Sequence, residues 1–251
     1  MDAADTFRVD SDAYSRRRPR YPDALFDWLA AGCARRELAW DCATGNGQAA
    51  TSLAPRFRRV HATDRSREQL ASAPPIANVR YAAEPAEATS LADSSVDLVT
   101  VAQALHWFDY ARFWPEVARA TREGALVAAW GYSWPVVAPD LVAALVTPVR
   151  ELVAPFWAPE NRLLWDGFPD EVVHFPFRRL HAPAFAIEVT WGLPDVVAYL
   201  ETWSATKRAR ADARCARALD ERMRSAARQL DPDAIWAVRM PLALLVGRVE
   251  R

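Results

Sequence analysis

Short apolar runs alternate with polar turns over the first half of the chain, and the period of each run predicts its element. In "DALFDWLAAGC", Leu25, Trp28 and Leu29 recur at helical spacing between Asp23 and Gly32, which predicts a first helix. Next come a strand at "ELAWD", a helix at "GQAATSLAPRF", a strand at "RVHATDRS", a helix at "REQLASA" and a strand at "VRYAAE". A polar loop leads into "SVDLVTVAQAL", followed by a helix at "FDYARFWPEVARAT" and a strand at "GALVAAWGY". Apolar strands alternating with helices predict an α/β fold: a doubly wound, mostly parallel sheet with helices on both faces. Ligands of such sheets bind outside the carboxyl ends of the strands.

Beyond Tyr132 the alternation weakens into an elaborated C-terminal half rich in Pro and Trp. A helix is predicted near 139–154 and a strand over "RRLHAPAFAIEVTW". Helices follow at "PDVVAYLETWSATKRARADA" and "ARALDERMRSAARQL", then a final strand at "IWAVRMPLALLVGRVER", expected to be antiparallel. No repeat or low-complexity linker divides the chain. The reading is therefore one domain over 1–251, with a polar arm at 1–22, a core at 23–132 and a substrate-side elaboration at 133–251.

Composition narrows the partners. A net charge of −1 removes the bulk electrostatic argument for nucleic acid or an anionic membrane surface. No window offers the roughly 18 uninterrupted apolar residues of a membrane span, and the acidic start lacks a secretory pattern, so a cytoplasmic protein is expected. Cys33, Cys42 and Cys215 are widely spaced, which suggests neither a disulfide framework nor a metal site. Lys207 is the only lysine, so Arg clusters reflect a bias of the whole chain and carry little weight.

The candidate chemistry lies in "AWDCATGNGQAATSL". From Gly45 it satisfies the dinucleotide fingerprint GxGxxA, with Asp64 following 19 residues later as a ribose acid. That reading leaves an NAD(P)-dependent oxidoreductase open. Asp41, however, would oppose a pyrophosphate brought onto the turn. A sulfonium cofactor carries an ammonium and no phosphate, and tolerates the acid.

Read as Asp41-Cys42-Ala43-Thr44-Gly45-Asn46-Gly47, the stretch resembles the acid-xGxGxG motif of class I S-adenosylmethionine-dependent methyltransferases, with Ala43 in the first glycine position. "RPRYP", "QALHWFD", "YLETWSA" and "RMPLALLVGR" extend the resemblance over nearly the whole chain. They place it with the type 11 family, in the subgroup similar to trans-aconitate methyltransferase. The resemblance implies a Rossmann-like class I methyltransferase fold, S-adenosyl-L-methionine as cofactor, and a small-molecule acceptor, with a carboxylate suggested by the subgroup. It further implies that Asp41, Ala43, Gly45, Gly47 and Gln103 line the cofactor, and that Asp64 accepts from the ribose hydroxyls. Pro85 stands where many relatives carry an adenine-binding Asp, so adenine recognition is expected to fall to Ala86 and Glu87.

Other roles stay open. His106 is a candidate general base or substrate contact, Tyr14 of the arm a candidate catalytic cover, and Trp107 and Tyr21 suit packing. Trp134, Trp165 and Trp203 are pocket candidates, and Arg162, Lys207, Arg18 and Arg20 candidate carboxylate clamps. A monomer or homodimer is expected. A binding protein that keeps the cofactor pocket without turnover is the non-enzymatic alternative.

Overall fold

A computed structural model describes residues 19–250. In chain order the first half contains α1 (Asp23–Gly32), β1 (Leu38–Cys42), α2 (Gln48–Leu53), β2 (Arg59–Asp64), α3 (Arg67–Ala71), β3 (Val79–Ala83) and β4 (Val96–Ala102). A single 3-10 turn at Leu105–Trp107 precedes α4 (Tyr110–Ala120) and β5 (Thr121–Tyr132). The second half contains α5 (Pro139–Leu141), α6 (Thr147–Val153), α7 (Asn161–Trp165), α8 (Asp170–Val173), β6 (Arg178–Arg179) and β7 (Ala186–Gly192). It ends with α9 (Leu193–Glu201), α10 (Ser204–Arg210), α11 (Ala213–Gln229) and β8 (Ile235–Arg248).

Contacts group these residues into two units. One comprises Arg20–Ser133, Arg162–Ala186 and Pro241–Arg251, and holds strands in the order β3-β2-β1-β4-β5-β8-β6. The first five are parallel, and β8 pairs antiparallel with β5 and β6. This is the expected mostly parallel, Rossmann-like sheet with an antiparallel final strand. β1 and β4 are buried along almost their whole length, as apolar strands covered on both faces must be. Helix α1 buries Leu25, Phe26, Leu29 and Ala30, while α4 buries Phe113, Trp114, Val117 and Ala120; each set is a single helical face. The Asp109 carboxylate caps α4 by accepting the Ala111 amide hydrogen.

The other unit includes Trp134–Asn161 and Ile187–Met240. Here α5 and α6 are joined through a π-helical stretch at Val142–Val146, so the predicted helix near 139–154 forms with a widened middle turn. The helix expected over 194–213 is interrupted at Thr202 and Trp203, where Trp203 adopts extended backbone and caps α10. Likewise the strand expected over 178–191 is two strands, β6 and β7, with Pro183 in the unpaired interval. Proline cannot donate to a ladder, which favours the break. None of the helices among the described residues is long and apolar enough to cross a membrane.

Candidate active site

The turn after β1 takes its shape from three alternate residues in the left-handed region: Ala43 (φ 53°), Gly45 (φ 59°) and Gly47 (φ 84°). Its backbone is tied to β2, since Thr44 N donates to the Thr63 carbonyl at 2.8 Å and Gly45 N donates to Asp64 Oδ2 at 2.8 Å. The other Asp64 oxygen accepts from Ser66 N at 2.8 Å. Burial raises the Asp64 pKa, and the Ser66 and Gly45 amides pull against that rise. A carboxylate has about four lone-pair sites, so even with the Arg65 amide also nearby it keeps capacity to accept a further donor such as a hydroxyl.

Asp41 occupies a different environment. Register places Tyr81, Ala62, Asp41, Thr100 and Ala128 side by side across five strands, forming one rung of the sheet. The Asp41 carboxylate is completely buried in this rung and accepts from Thr44 Oγ1 at 2.5 Å and Thr100 Oγ1 at 2.8 Å. Burial pushes its pKa up to about 6, against the two hydroxyl donors that favour the ionised form. Thr44 links the acid to the turn, so Asp41 acts on the turn from beneath. Neither threonine partner stood out in the sequence. Tyr81 did not either: its hydroxyl is buried, has no hydrogen-bond partner among the described residues, and lies 2.7 Å from where a Cβ on Gly47 would sit.

Beyond β3, Ala86 is buried and Glu87 half-buried, with Glu87 Oε1 accepting from Asp109 N at 3.5 Å. At the end of β4, Gln103 takes a left-handed conformation (φ 59°), rare for a residue with a side chain, while its N–H donates to the Trp130 carbonyl at 2.8 Å. Gln103 Nε2 is buried without a hydrogen-bond partner among the described residues. A Cβ on Gly131 would lie 1.9 Å from Leu164 Cδ1 and 3.2 Å from the Gln103 amide oxygen, so glycine at 131 leaves room for both side chains. His106, in the 3-10 turn, is buried with Nδ1 also unpartnered, and burial drives its pKa down to about 4. At neutral pH the imidazole is uncharged.

One unit thus brings together Asp41, Ala43, Gly45, Gly47, Asp64, Ala86, Glu87, Gln103 and His106 at the carboxyl ends of neighbouring strands. It also contains Arg20 and Arg162, both exposed, and Trp165, which packs against the hydrophobic core beneath α4. Trp134, Trp203 and Lys207 belong to the other unit. There Trp134 and Trp203 meet edge-on at 5.3 Å, each beside Trp157, and Arg150 lies over the Trp134 ring at 5.3 Å. Lys207 N donates to the Trp203 carbonyl at 3.0 Å, one helical turn away. Tyr14 and Arg18 lie outside the described residues. Among the described residues, His, Cys, Asp and Glu form no group of three that could hold a metal ion.

Comparison with known proteins agrees with this arrangement. The methyltransferase-domain family model matches residues 40–129, from within β1 into β5, a span that carries the turn, Asp64 and Gln103. A protein of Dictyostelium discoideum named as a methyltransferase is 31% identical over 204 residues, covering 80% of this chain and 77% of its own. An uncharacterized methyltransferase of Mycobacterium tuberculosis is 44% identical over 120 residues, 45% of this chain and 46% of its own. Among solved structures, one from Anaeromyxobacter dehalogenans described as a type II methyltransferase superposes with a TM-score of 0.80 at 39% identity, covering 93% of this chain and 98% of the other. The dinucleotide reading of the turn gives way to the methyl-donor reading, and the chain belongs to the methyltransferase family as a class I S-adenosylmethionine-dependent enzyme.

Proposed function

We propose that the enzyme methylates a carboxylate oxygen of a small molecule, in the manner of the trans-aconitate-like subgroup that its terminal motifs resemble. The observation that carries this reading is that His106, the candidate base at the strand ends, is buried with Nδ1 unpartnered, in surroundings that disfavour its protonated form. His106 is held neutral with a pKa near 4, and burial pushes the Tyr81 hydroxyl up to about 12, with the Asp41 charge adding to the rise. A phenol, alcohol or ammonium acceptor must lose a proton, and a positioned base typically contributes about 10²–10⁴-fold to that step. A carboxylate with a pKa of about 4 is already anionic at neutral pH and needs no base.

The residues present fit the cofactor. Asp64 has acceptor capacity left for a ribose hydroxyl, Gly45 and Ala43 keep the turn narrow, and Gln103 Nε2 is a buried donor awaiting an acceptor. When bound, S-adenosyl-L-methionine supplies a methyl group on a sulfonium that departs as a neutral thioether, so the leaving group needs no acid. Asp64 would hold the ribose, the loop at Ala86 and Glu87 would meet the adenine, and Gln103 would hold the methionine portion. Asp41 contributes indirectly, by fixing Thr44 and with it the turn. His106 takes part as an uncharged hydrogen-bonding group that positions the acceptor. Arg162 and Arg20, exposed on the same unit, supply positive charge for a carboxylate. Rate then comes mainly from alignment in a dry site.

The test is an acceptor screen with S-adenosyl-L-methionine on trans-aconitate, a panel of other carboxylic acids, and matched phenols and amines, with products identified by mass spectrometry. An alkali-labile methyl ester formed at a rate that is flat between pH 6 and 8 is expected. Turnover confined to phenols or amines, rising with pH, would overturn the carboxylate reading.

A further inference from the structure

The segment from Glu84 to Asp93 carries Ala86 and Glu87, and two carboxylates hold its shape, one within it and one from a later helix. Glu84, just past β3, accepts from Ser90 Oγ at 2.7 Å and Ser90 N at 3.1 Å, closing the segment into a ring of seven residues. His61 Nε2 lies 3.1 Å from the same carboxylate, and Glu84 N donates to the Asp64 carbonyl at 3.1 Å. The second clamp comes from α4. Glu116 Oε1 accepts both from Thr89 N at 2.8 Å and from Thr89 Oγ1 at 2.7 Å. Glu116 is itself held by Arg119, whose Nε and Nη2 reach its two oxygens at 2.8 and 2.7 Å. Arg119 Nη1 also donates to the Leu91 carbonyl at 2.8 Å and to Asp93 Oδ1 at 2.5 Å. Glu116 is buried, and the Arg119 guanidinium beside it holds its pKa down at about 2, so the clamp is charged at any working pH.

We propose that Glu116 is a positioning residue for adenine selectivity, acting through Thr89 on the backbone of the Ala86–Glu87 loop without touching the cofactor. This rests on the reading that this loop meets the adenine. Recognition of the purine edge by loop backbone is strongest when the carbonyl and amide groups are fixed before binding, because ordering them at that moment costs conformational entropy. Pro85 offers no side-chain acceptor for the exocyclic amine, so discrimination depends on that fixed backbone. In Glu116→Gln one carboxylate oxygen becomes an NH₂ group that faces either the Arg119 Nε donor or the Thr89 N–H and Arg119 Nη2 donors, and the charge that holds Arg119 is gone. One side of the clamp is lost either way. Thr89→Val removes the hydroxyl's bonds to Glu116 and, at 3.4 Å, to Leu91 N, leaving the Glu116–Arg119 ion pair and the Thr89 N–H bond in place.

The experiment is calorimetric binding of S-adenosylhomocysteine and of its inosine counterpart, S-inosylhomocysteine, to the full chain, the two variants and Glu116→Asp. Replacing the exocyclic amine by a carbonyl should cost wild type on the order of tenfold in affinity, the scale of one mispaired buried hydrogen bond. The ratio should fall partway in Glu116→Gln, where one side of the clamp survives, fall partway in Thr89→Val and fall least in Glu116→Asp. Loss of affinity for both compounds in equal proportion would mark Glu116 as structural only and overturn the proposal. Should Glu116→Gln not fold, an unchanged ratio in Thr89→Val overturns it equally. A wild type that binds both compounds alike removes adenine reading from this loop, and a wild type that binds neither removes the cofactor assignment itself.

Discussion

The Asp64 carboxylate accepts the Gly45 amide hydrogen at 2.8 Å across 19 residues of sequence, so a side chain at the end of β2 sets the turn that follows β1. On the proposed reading the acid has a second job beside holding the turn, meeting the ribose, and its replacements separate the two. Asp64→Asn keeps one acceptor oxygen for the turn but loses charge and half its lone pairs. We expect S-adenosylhomocysteine affinity to fall at least about tenfold in titration calorimetry, with a stability loss within about 1–2 kcal/mol. Unchanged affinity would leave Asp64 a turn-holder alone.

Gly47 and Ala43 should respond to substitution with opposite signs. A Cβ on Gly47 would lie 2.7 Å from the Tyr81 hydroxyl, and the residue is left-handed at φ 84°, so Gly47→Ala should cost at least about 2 kcal/mol in urea unfolding. Tyr81→Phe in that background should return part of the loss, because the nearest atom is removed. Ala43 already carries a Cβ at φ 53°, and Ala43→Gly should stabilise by about 0.5–1 kcal/mol. A destabilised Ala43→Gly protein would mean that the methyl packs against something the turn needs.

His106 provides a kinetic test of base-free transfer. With the imidazole neutral to about pH 4, His106→Gln preserves a hydrogen-bonding side chain of similar reach. For a carboxylate acceptor kcat should stay within about tenfold of wild type, with most of the change in KM, whereas removing a general base costs about 10²–10⁴-fold. A loss of that larger size, with the acidic limb of the pH profile displaced, would make His106 the base and exclude an acceptor that needs none.

The parallel core was legible because strands buried on both faces must be nearly continuous apolar runs, as "DLVTVA" and "LVAAW" are. The turn was legible because its left-handed positions favour glycine, and two of the three are Gly. What failed to show was long-range or dependent on packing. The partners of Asp41 include Thr100, 59 residues away, and an isolated threonine in an apolar strand signals nothing. The break at Thr202 and Trp203 lies inside a sequence with good helical periodicity, and Trp203 is buried there among Trp134, Trp157 and Tyr199, so packing overrides propensity. Glu116 and Arg119 read as an ordinary i, i+3 pair on a helix surface. Only the fold brings Thr89 onto them.

Two buried groups near the turn titrate between pH 4 and 6.5 with opposite consequences for stability. His106 has a folded pKa near 4 against about 6.5 unfolded, so the unfolded chain takes up its proton first. Its share of stability is complete above pH 6.5 and is lost as pH falls to 4, by about 3 kcal/mol. Asp41 has a folded pKa near 6 against about 3.8 unfolded, so here the folded protein takes up the proton first. Acidification from pH 6 to 4 therefore adds stability, again by about 3 kcal/mol. The two contributions nearly offset in wild type, and each variant exposes the other. Relative to wild type, His106→Gln should become steadily more stable from pH 6.5 to 4, and Asp41→Asn steadily less stable from pH 6 to 4, in urea unfolding at half-unit intervals. Comparison with wild type at each pH cancels the remaining carboxylates, including Glu116, whose loss begins only below about pH 4.5. If either difference is constant with pH, the corresponding group titrates alike in the folded and unfolded chains, and its burial does not govern its charge.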